Sequence, residues 1–135
     1  MLVLLDDENR LERYVDEVPE VAYNLIEVAV KPLTIIYDRA RNLARNLLAD
    51  DGSVGIRITR EAFSSRLCRG LRRPIVSTSA NISGQPSPAT FDQISDEIKN
   101  AVDYVVKYRQ DDRTESAPSS VIKLDSDGCF KILRN

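Results

Sequence analysis

Ser77-Thr78-Ser79-Ala80-Asn81-Ile82-Ser83-Gly84-Gln85-Pro86-Ser87-Pro88 is the stretch on which the reading of the fold turns. Hydroxyls crowd its first half and turn-forming residues its second. Pro74-Ile75-Val76 before it reads as a short apolar strand, and a helix-like pattern opens after it at Thr90. A strand that ends in small polar residues and hands over to a helix suits a phosphate. Short side chains let the ligand come close, and hydroxyls and backbone N–H groups point at anionic oxygens. The same composition also fits an ordinary polar loop, because Ser, Asn, Gly and Pro are what loops are made of. The order of the residues sets this segment apart.

Working outward, the pattern alternates strands and helices. Leu2-Val3-Leu4-Leu5 reads as a buried strand with no lead-in, as expected of a fragment. Asp7 caps a short helix with Leu11 and Val15 on one face. Pro19 starts a helix whose Val21, Leu25 and Val28 should face the core, with Glu20 and Glu27 in water, and Pro32 ends it. Leu33-Thr34-Ile35-Ile36-Tyr37 is β-branched and bulky, hence a strand. Residues 38–49 fit either a helical stripe or an ordered loop. Asp50-Asp51-Gly52 is a turn, and Ser53 to Ile58 alternates as a strand.

Thr59 is placed to cap the next helix. Phe63, Leu67 and Leu71 recur every four residues and should be core, while Arg66, Arg69 and Arg73 line a basic face. A charge run of this kind is most often a solvated surface. Beyond the opening stretch, Thr90 begins a helix with Phe91, Ile94, Ile98 and Ala101 on one side. Asp103 to Tyr108 reads as a strand and Arg109 to Pro118 as a polar loop. Ser120 to Leu124 and Cys129 to Leu133 form two strands joined by a hairpin turn at Asp125-Ser126-Asp127-Gly128. The whole is one α/β domain, residues 1–135, with a mixed sheet and flanking helices.

The totals bound the chemistry. The chain has 135 residues, 42% apolar and 30% charged, with net charge -2 and no histidine. It is long enough for one domain with a core. Histidine acid–base chemistry and histidine metal ligation are excluded. Cys68 and Cys129 alone cannot hold zinc, and they read as reduced and packed in a cytoplasmic protein. No apolar run is long enough to span a bilayer. No metal ligand set and no catalytic side chain is assigned.

Ser79-Ala80-Asn81-Ile82-Ser83-Gly84-Gln85-Pro86-Ser87-Pro88 resembles the S-A-N-x-S-G-x-P-S-P signature of the YrdC-like proteins. These are L-threonylcarbamoyladenylate synthases of tRNA modification, whose older labels include translation factor and double-stranded-RNA binder. Further segments resemble the family in the right order. They are Pro32-Leu33-Thr34-Ile35-Ile36 for P-L-T, Ser53-Val54-Gly55-Ile56-Arg57 for a strand ending in arginine, Ala117-Pro118-Ser119-Ser120-Val121 for P-S-T-V, and Ile132-Leu133-Arg134 for the closing arginine strand. Lys31 stands where the family usually has glycine, and Thr59 where it usually has proline. Nothing here matches the family's N-terminal P-T-D-T-x-Y-G segment or its Lys-x-Arg pair.

The resemblance implies a YrdC-like twisted mixed β-sheet, N-terminally truncated, forming the C-terminal two-thirds of the family domain. It implies threonylcarbamoyl-AMP made from L-threonine, bicarbonate and ATP with Mg²⁺, no prosthetic group, and downstream tRNA-modification proteins as partners. By motif position, Ser53, Ser79, Asn81, Ser87 and Arg134 would hold the nucleotide, and Arg57, Ser77 and Ser119 the threonine. The alternative is a non-catalytic nucleotide- or double-stranded-RNA-binding module, with Arg66, Arg69 and Arg73 as the RNA contact. A sheet edge left open by a missing N-terminal part would also favour dimers.

Overall fold

The computed structural model describes residues 1–116 and 118–135, so Ala117 of the P-S-T-V-like segment lies outside the described residues. The chain forms two compact units, Met1–Ser77 with Ser119–Asn135, and Thr78–Pro118.

The first unit is built on a six-stranded mixed sheet in the order β4-β1-β3-β2-β5-β6. The strands are β1 Leu2–Leu5, β2 Leu33–Tyr37, β3 Val54–Ile58, β4 Ile75–Ser77, β5 Ser120–Leu124 and β6 Phe130–Arg134. β1 runs parallel to β3 and β2 parallel to β5, and the other neighbours are antiparallel. This is the mixed α/β sheet that the sequence pattern implies. Gly128, at φ 88°, lets the β5–β6 hairpin close.

Side chains alternate across a strand, so each face has its own set. Val3, Leu5, Ile35, Tyr37, Val54, Ile56 and Leu124 share one face, all buried. Two elements cover them. A 3-10 turn, Glu8–Arg13, starts where the Asp7 carboxylate accepts from the Asn9 N–H and brings in Leu11, with Val15 just beyond it. Helix α1, Glu20–Val28, begins after Pro19 and buries Ala22 and Ile26. Val21 and Leu25 are only half-buried and Val28 is exposed, so the covered stripe is turned from the expected one. The opposite face carries the alternate positions Thr34, Ile36, Gly55, Arg57 and Val121.

Helix α2, Ala62–Leu71, differs from expectation in two ways. Its N-cap is Glu61, whose carboxylate accepts from the Phe63 and Ser64 N–H groups. Thr59 instead accepts from the Glu61 N–H, and its own N–H donates to the Leu5 carbonyl. Its buried residue is Cys68, whose Sγ lies 3.7 Å from the Leu4 carbonyl. Phe63, Leu67 and Leu71 are exposed. Spacing defines a common face, but the contact of Cys68 with β1 decides which face is covered. Cys129, expected to be packed, is exposed because it follows the hairpin turn.

α2 ends at Arg72, which is left-handed at φ 53°, while its N–H bonds the Arg69 carbonyl. A non-glycine residue there costs roughly 1 kcal/mol. Arg72→Gly is therefore expected to raise the thermal midpoint by about 3 °C in differential scanning calorimetry.

In the second unit the helix expected from Thr90 is two pieces, a 3-10 turn at Phe91–Gln93 and α3 at Asp96–Ala101. Ser95 divides them, since its hydroxyl accepts from the Ile98 N–H and caps α3. Ala101 is exposed. Asp103 to Tyr108 is not a strand, because none of the described strands pairs with it. Residues 38–49 form an irregular segment with one 3-10 turn, Arg45–Leu47. No helix among the described residues is long and apolar enough to cross a membrane.

Candidate anion-binding site

The face of the sheet away from the core holds a cavity of about 320 Å³, lined by Thr34, Ser53, Gly55, Arg57, Ser119 and Arg134 among others. Its floor is open because Gly55 has no side chain. A Cβ there would stand 3.3 Å from the Thr34 methyl and 3.7 Å from Leu2 Cβ.

Two guanidinium groups converge on one serine. Arg57 donates from Nε and Nη2 to Thr34 Oγ1 at 3.1 and 3.0 Å, and from Nη2 to Ser119 Oγ at 2.7 Å. Arg134 donates from Nε to the Ser119 carbonyl at 2.8 Å and from Nη2 to Ser119 Oγ at 3.3 Å. Thr34 and Ser119 are buried, and their hydroxyls lie 3.3 Å apart. Strand register explains the convergence. Thr34 pairs with Val121, and Val121 pairs with Arg134, so β2, β5 and β6 place these side chains side by side.

Among the described residues neither arginine is paired with a carboxylate. Both hold their positions on neutral oxygens. Burial, and after it the nearby Arg134 charge, pulls the Arg57 pKa below its ordinary value. Two like charges are thus held side by side on hydroxyl and carbonyl oxygens. A carboxylate or phosphate would relieve their repulsion and take charge-assisted hydrogen bonds from the planar guanidinium.

Ser53 is buried at the rim and is fixed by Asp51, whose Oδ1 accepts from the Ser53 hydroxyl at 2.6 Å and from its N–H at 3.0 Å. Those bonds, side chain first, hold the Asp51 pKa below the ordinary aspartate value. A carboxylate depressed in the folded state stabilises above its unfolded pKa and loses that contribution as pH falls through the folded value. The Ser53 amide resonance is therefore expected to move on acidification with a midpoint below the ordinary aspartate value. A midpoint at or above that value would contradict the Asp51–Ser53 contact.

Ser53, Arg57, Ser119 and Arg134 all line this cavity. Ser77 ends β4, opposite Leu2, and is not among the residues lining this cavity. Ser79, Asn81 and Ser87 belong to the second unit. There the Asn81 amide donates to the Ile82 and Gln85 carbonyls at 3.0 and 2.9 Å, and Ser87 Oγ donates to Asn81 Oδ1 at 3.4 Å. Asn81 shapes the loop, and Ser79 is exposed. Sequence reasoning misses Thr34 as a site residue, although it stands in the P-L-T segment. Its signal is a polar residue inside an otherwise apolar strand.

Gly55→Ala tests the floor. The added methyl must push Thr34 aside by a few tenths of an ångström, displacing an acceptor of Arg57. Anion affinity is expected to fall severalfold in calorimetric titration, with stability changed by less than about 1 kcal/mol because alanine also restricts the unfolded chain.

Curated proteins similar in sequence to this chain include some named threonylcarbamoyl-AMP synthase. A family model described as "Telomere recombination", that of Sua5, YciO and YrdC, matches residues 1–135. The chain belongs to the Sua5, YciO and YrdC family. It is 35% identical over 136 residues to a Methanocaldococcus jannaschii protein named "Putative threonylcarbamoyl-AMP synthase", a match spanning 96% of this chain and 59% of that one. A doubly substituted P. abyssi Sua5 superposes with a TM-score of 0.78 at 25% identity, covering 92% of this chain and 38% of the other. The P. abyssi Sua5 structure complexed with L-threonine shares the fold, with a TM-score of 0.73 at 24% identity over 98% of this chain and 38% of that chain. The chain spans about three-fifths of the curated relative's length.

Proposed function

We propose that this chain holds the anionic groups of L-threonine and ATP during formation of threonylcarbamoyl-AMP, the activated intermediate of tRNA threonylcarbamoyladenosine synthesis in the cytoplasm. The observation that carries the reading is the pair Arg57 and Arg134 converging on Ser119 with no carboxylate partner among the described residues. The L-threonine bound by P. abyssi Sua5 supports an amino-acid carboxylate as one of the anions.

In this reading Arg57, Ser119 and Ser77 serve threonine. Arg134, Ser53, Ser79, Asn81 and Ser87 serve the nucleotide. The threonine amine and bicarbonate give a carbamate with loss of water, and a carbamate oxygen attacks the α-phosphorus of ATP while pyrophosphate leaves. Such a step depends on positioning and on neutralising developing charge, and it requires no protein nucleophile. Guanidinium and hydroxyl donors fit that task. In this reading Mg²⁺ comes with the substrate, carried on the ATP phosphates. The product passes to the downstream tRNA-modification proteins.

The test is release of pyrophosphate from MgATP that requires both threonine and bicarbonate. It is measured on this chain alone and with the family's remaining segment supplied. Release dependent on all three substrates in either arm supports the reading. No release in both arms rejects it.

A further inference from the structure

Thr34 and Ser119 have more hydrogen-bond donors around them than lone pairs to meet them. A hydroxyl oxygen has two lone pairs and one proton to give. Thr34 Oγ1 accepts twice from Arg57, at 3.1 and 3.0 Å. Ser119 Oγ accepts from Arg57 at 2.7 Å and from Arg134 at 3.3 Å. Four guanidinium N–H groups therefore occupy all four lone pairs. The hydroxyls cannot also serve each other well. Their 3.3 Å separation exceeds the ordinary O–H···O range, and such a bond would be a third at either oxygen. Two hydroxyl protons are thus left without a good acceptor among the described residues. Thr34 and Ser119 are only 4% and 6% exposed, so little bulk water reaches them, and both line the cavity. A buried donor left unmet is costly.

We propose that Thr34 is an anion-binding residue in its own right, donating its hydroxyl proton beside that of Ser119 to one oxyanion, and that the site selects oxyanions that carry no proton. The proposal rests on the reading of this cavity as an anion site and adds a selection rule to it. The side chains of Thr34, Arg57, Ser119 and Arg134 offer hydrogens to a ligand and no unoccupied lone pair. A ligand oxygen bearing a proton has nowhere among them to donate it and meets their hydrogens instead. A carboxylate or a carbamate satisfies the rule. Bicarbonate keeps a proton on one oxygen, so it is received by other groups.

Sulfate and inorganic phosphate are the probes. In mildly alkaline buffer both are dianions of similar size, and only phosphate keeps a proton. Each is titrated into ¹⁵N-labelled chain with the Arg57 Nε–H resonance as reporter. Sulfate is expected to bind about tenfold more tightly than phosphate, the size of one hydrogen bond to a charged group. Thr34→Val keeps the shape and removes the donor. It should weaken sulfate about tenfold and phosphate less, because phosphate can turn its own hydroxyl towards the valine, so the preference narrows. Thr34→Ala makes the same comparison if valine does not fold. Thr34→Ser should restore the affinity for sulfate and the preference. Phosphate bound as tightly as sulfate, or sulfate that leaves the Arg57 resonance unmoved, would overturn the proposal. So would Thr34→Ser behaving like valine, or equal weakening of both anions in Thr34→Val, which would leave Thr34 only a support for Arg57. None of these readouts uses threonine, ATP or turnover, so failure here is distinct from failure of the synthase reading.

Discussion

Arg57→Ala is expected to lower affinity for threonine and for MgATP by about ten- to hundredfold, while the fold survives. The guanidinium makes charge-assisted hydrogen bonds, each worth ~1.5–3 kcal/mol when the partner is charged. Its removal takes away half of the positive charge at Ser119. The hydroxyls that it leaves are not stranded, because Thr34 Oγ1 and Ser119 Oγ lie 3.3 Å apart and can bond each other. Stability should therefore drop by no more than about 2 kcal/mol, the upper range for an ordinary buried hydrogen-bonded group. Arg57→Lys should recover only part of the binding, since an ammonium cannot reproduce the planar fork that spans Thr34 and Ser119. Titration calorimetry on the three proteins checks this. Full affinity in the alanine variant would remove Arg57 from the site.

Leu11→Ala is expected to cost about 2–5 kcal/mol, the spread reflecting how far the emptied site can collapse. Leu11 is fully buried. It is the side chain by which the Glu8–Arg13 turn reaches the core formed with Val3, Leu5 and Val15. A short 3-10 turn has little stability of its own, so its position depends on that contact. A loss of this size is a large share of the roughly 5–15 kcal/mol typical of a folded domain. The urea midpoint should fall with the slope unchanged. A change below about 1 kcal/mol would mean that the turn is not a packed layer of the core.

The central strands were legible because β-branched runs bounded by turn residues have few alternatives, as in Leu33 to Tyr37 and Ser120 to Leu124. Elements at the margin were less so. Phe63, Leu67 and Leu71 have faultless helical spacing, yet periodicity cannot say which side of the helix faces the sheet. Asp103 to Tyr108 has the composition of a strand, and none of the described strands pairs with it. A strand is a property of a pair, which a single segment cannot reveal. Of the site, Arg57, Ser119 and Arg134 carried a signal only through ordered motifs. Each alone reads as an ordinary surface residue. Their meeting depends on the register of β2, β5 and β6. Thr34 is the converse, a residue in plain view whose role emerges only when Arg57 is seen to bond it.

The most direct measurement follows the side-chain Nε–H resonances of Arg57 and Arg134 during titration with threonine and with MgATP. If the two guanidinium groups form one anion receptor, both resonances move together and saturably with at least one of these ligands. In Arg57→Ala the Arg134 response is lost or strongly weakened. Resonances that stay still with both ligands, or an Arg134 response unchanged in the variant, would contradict it.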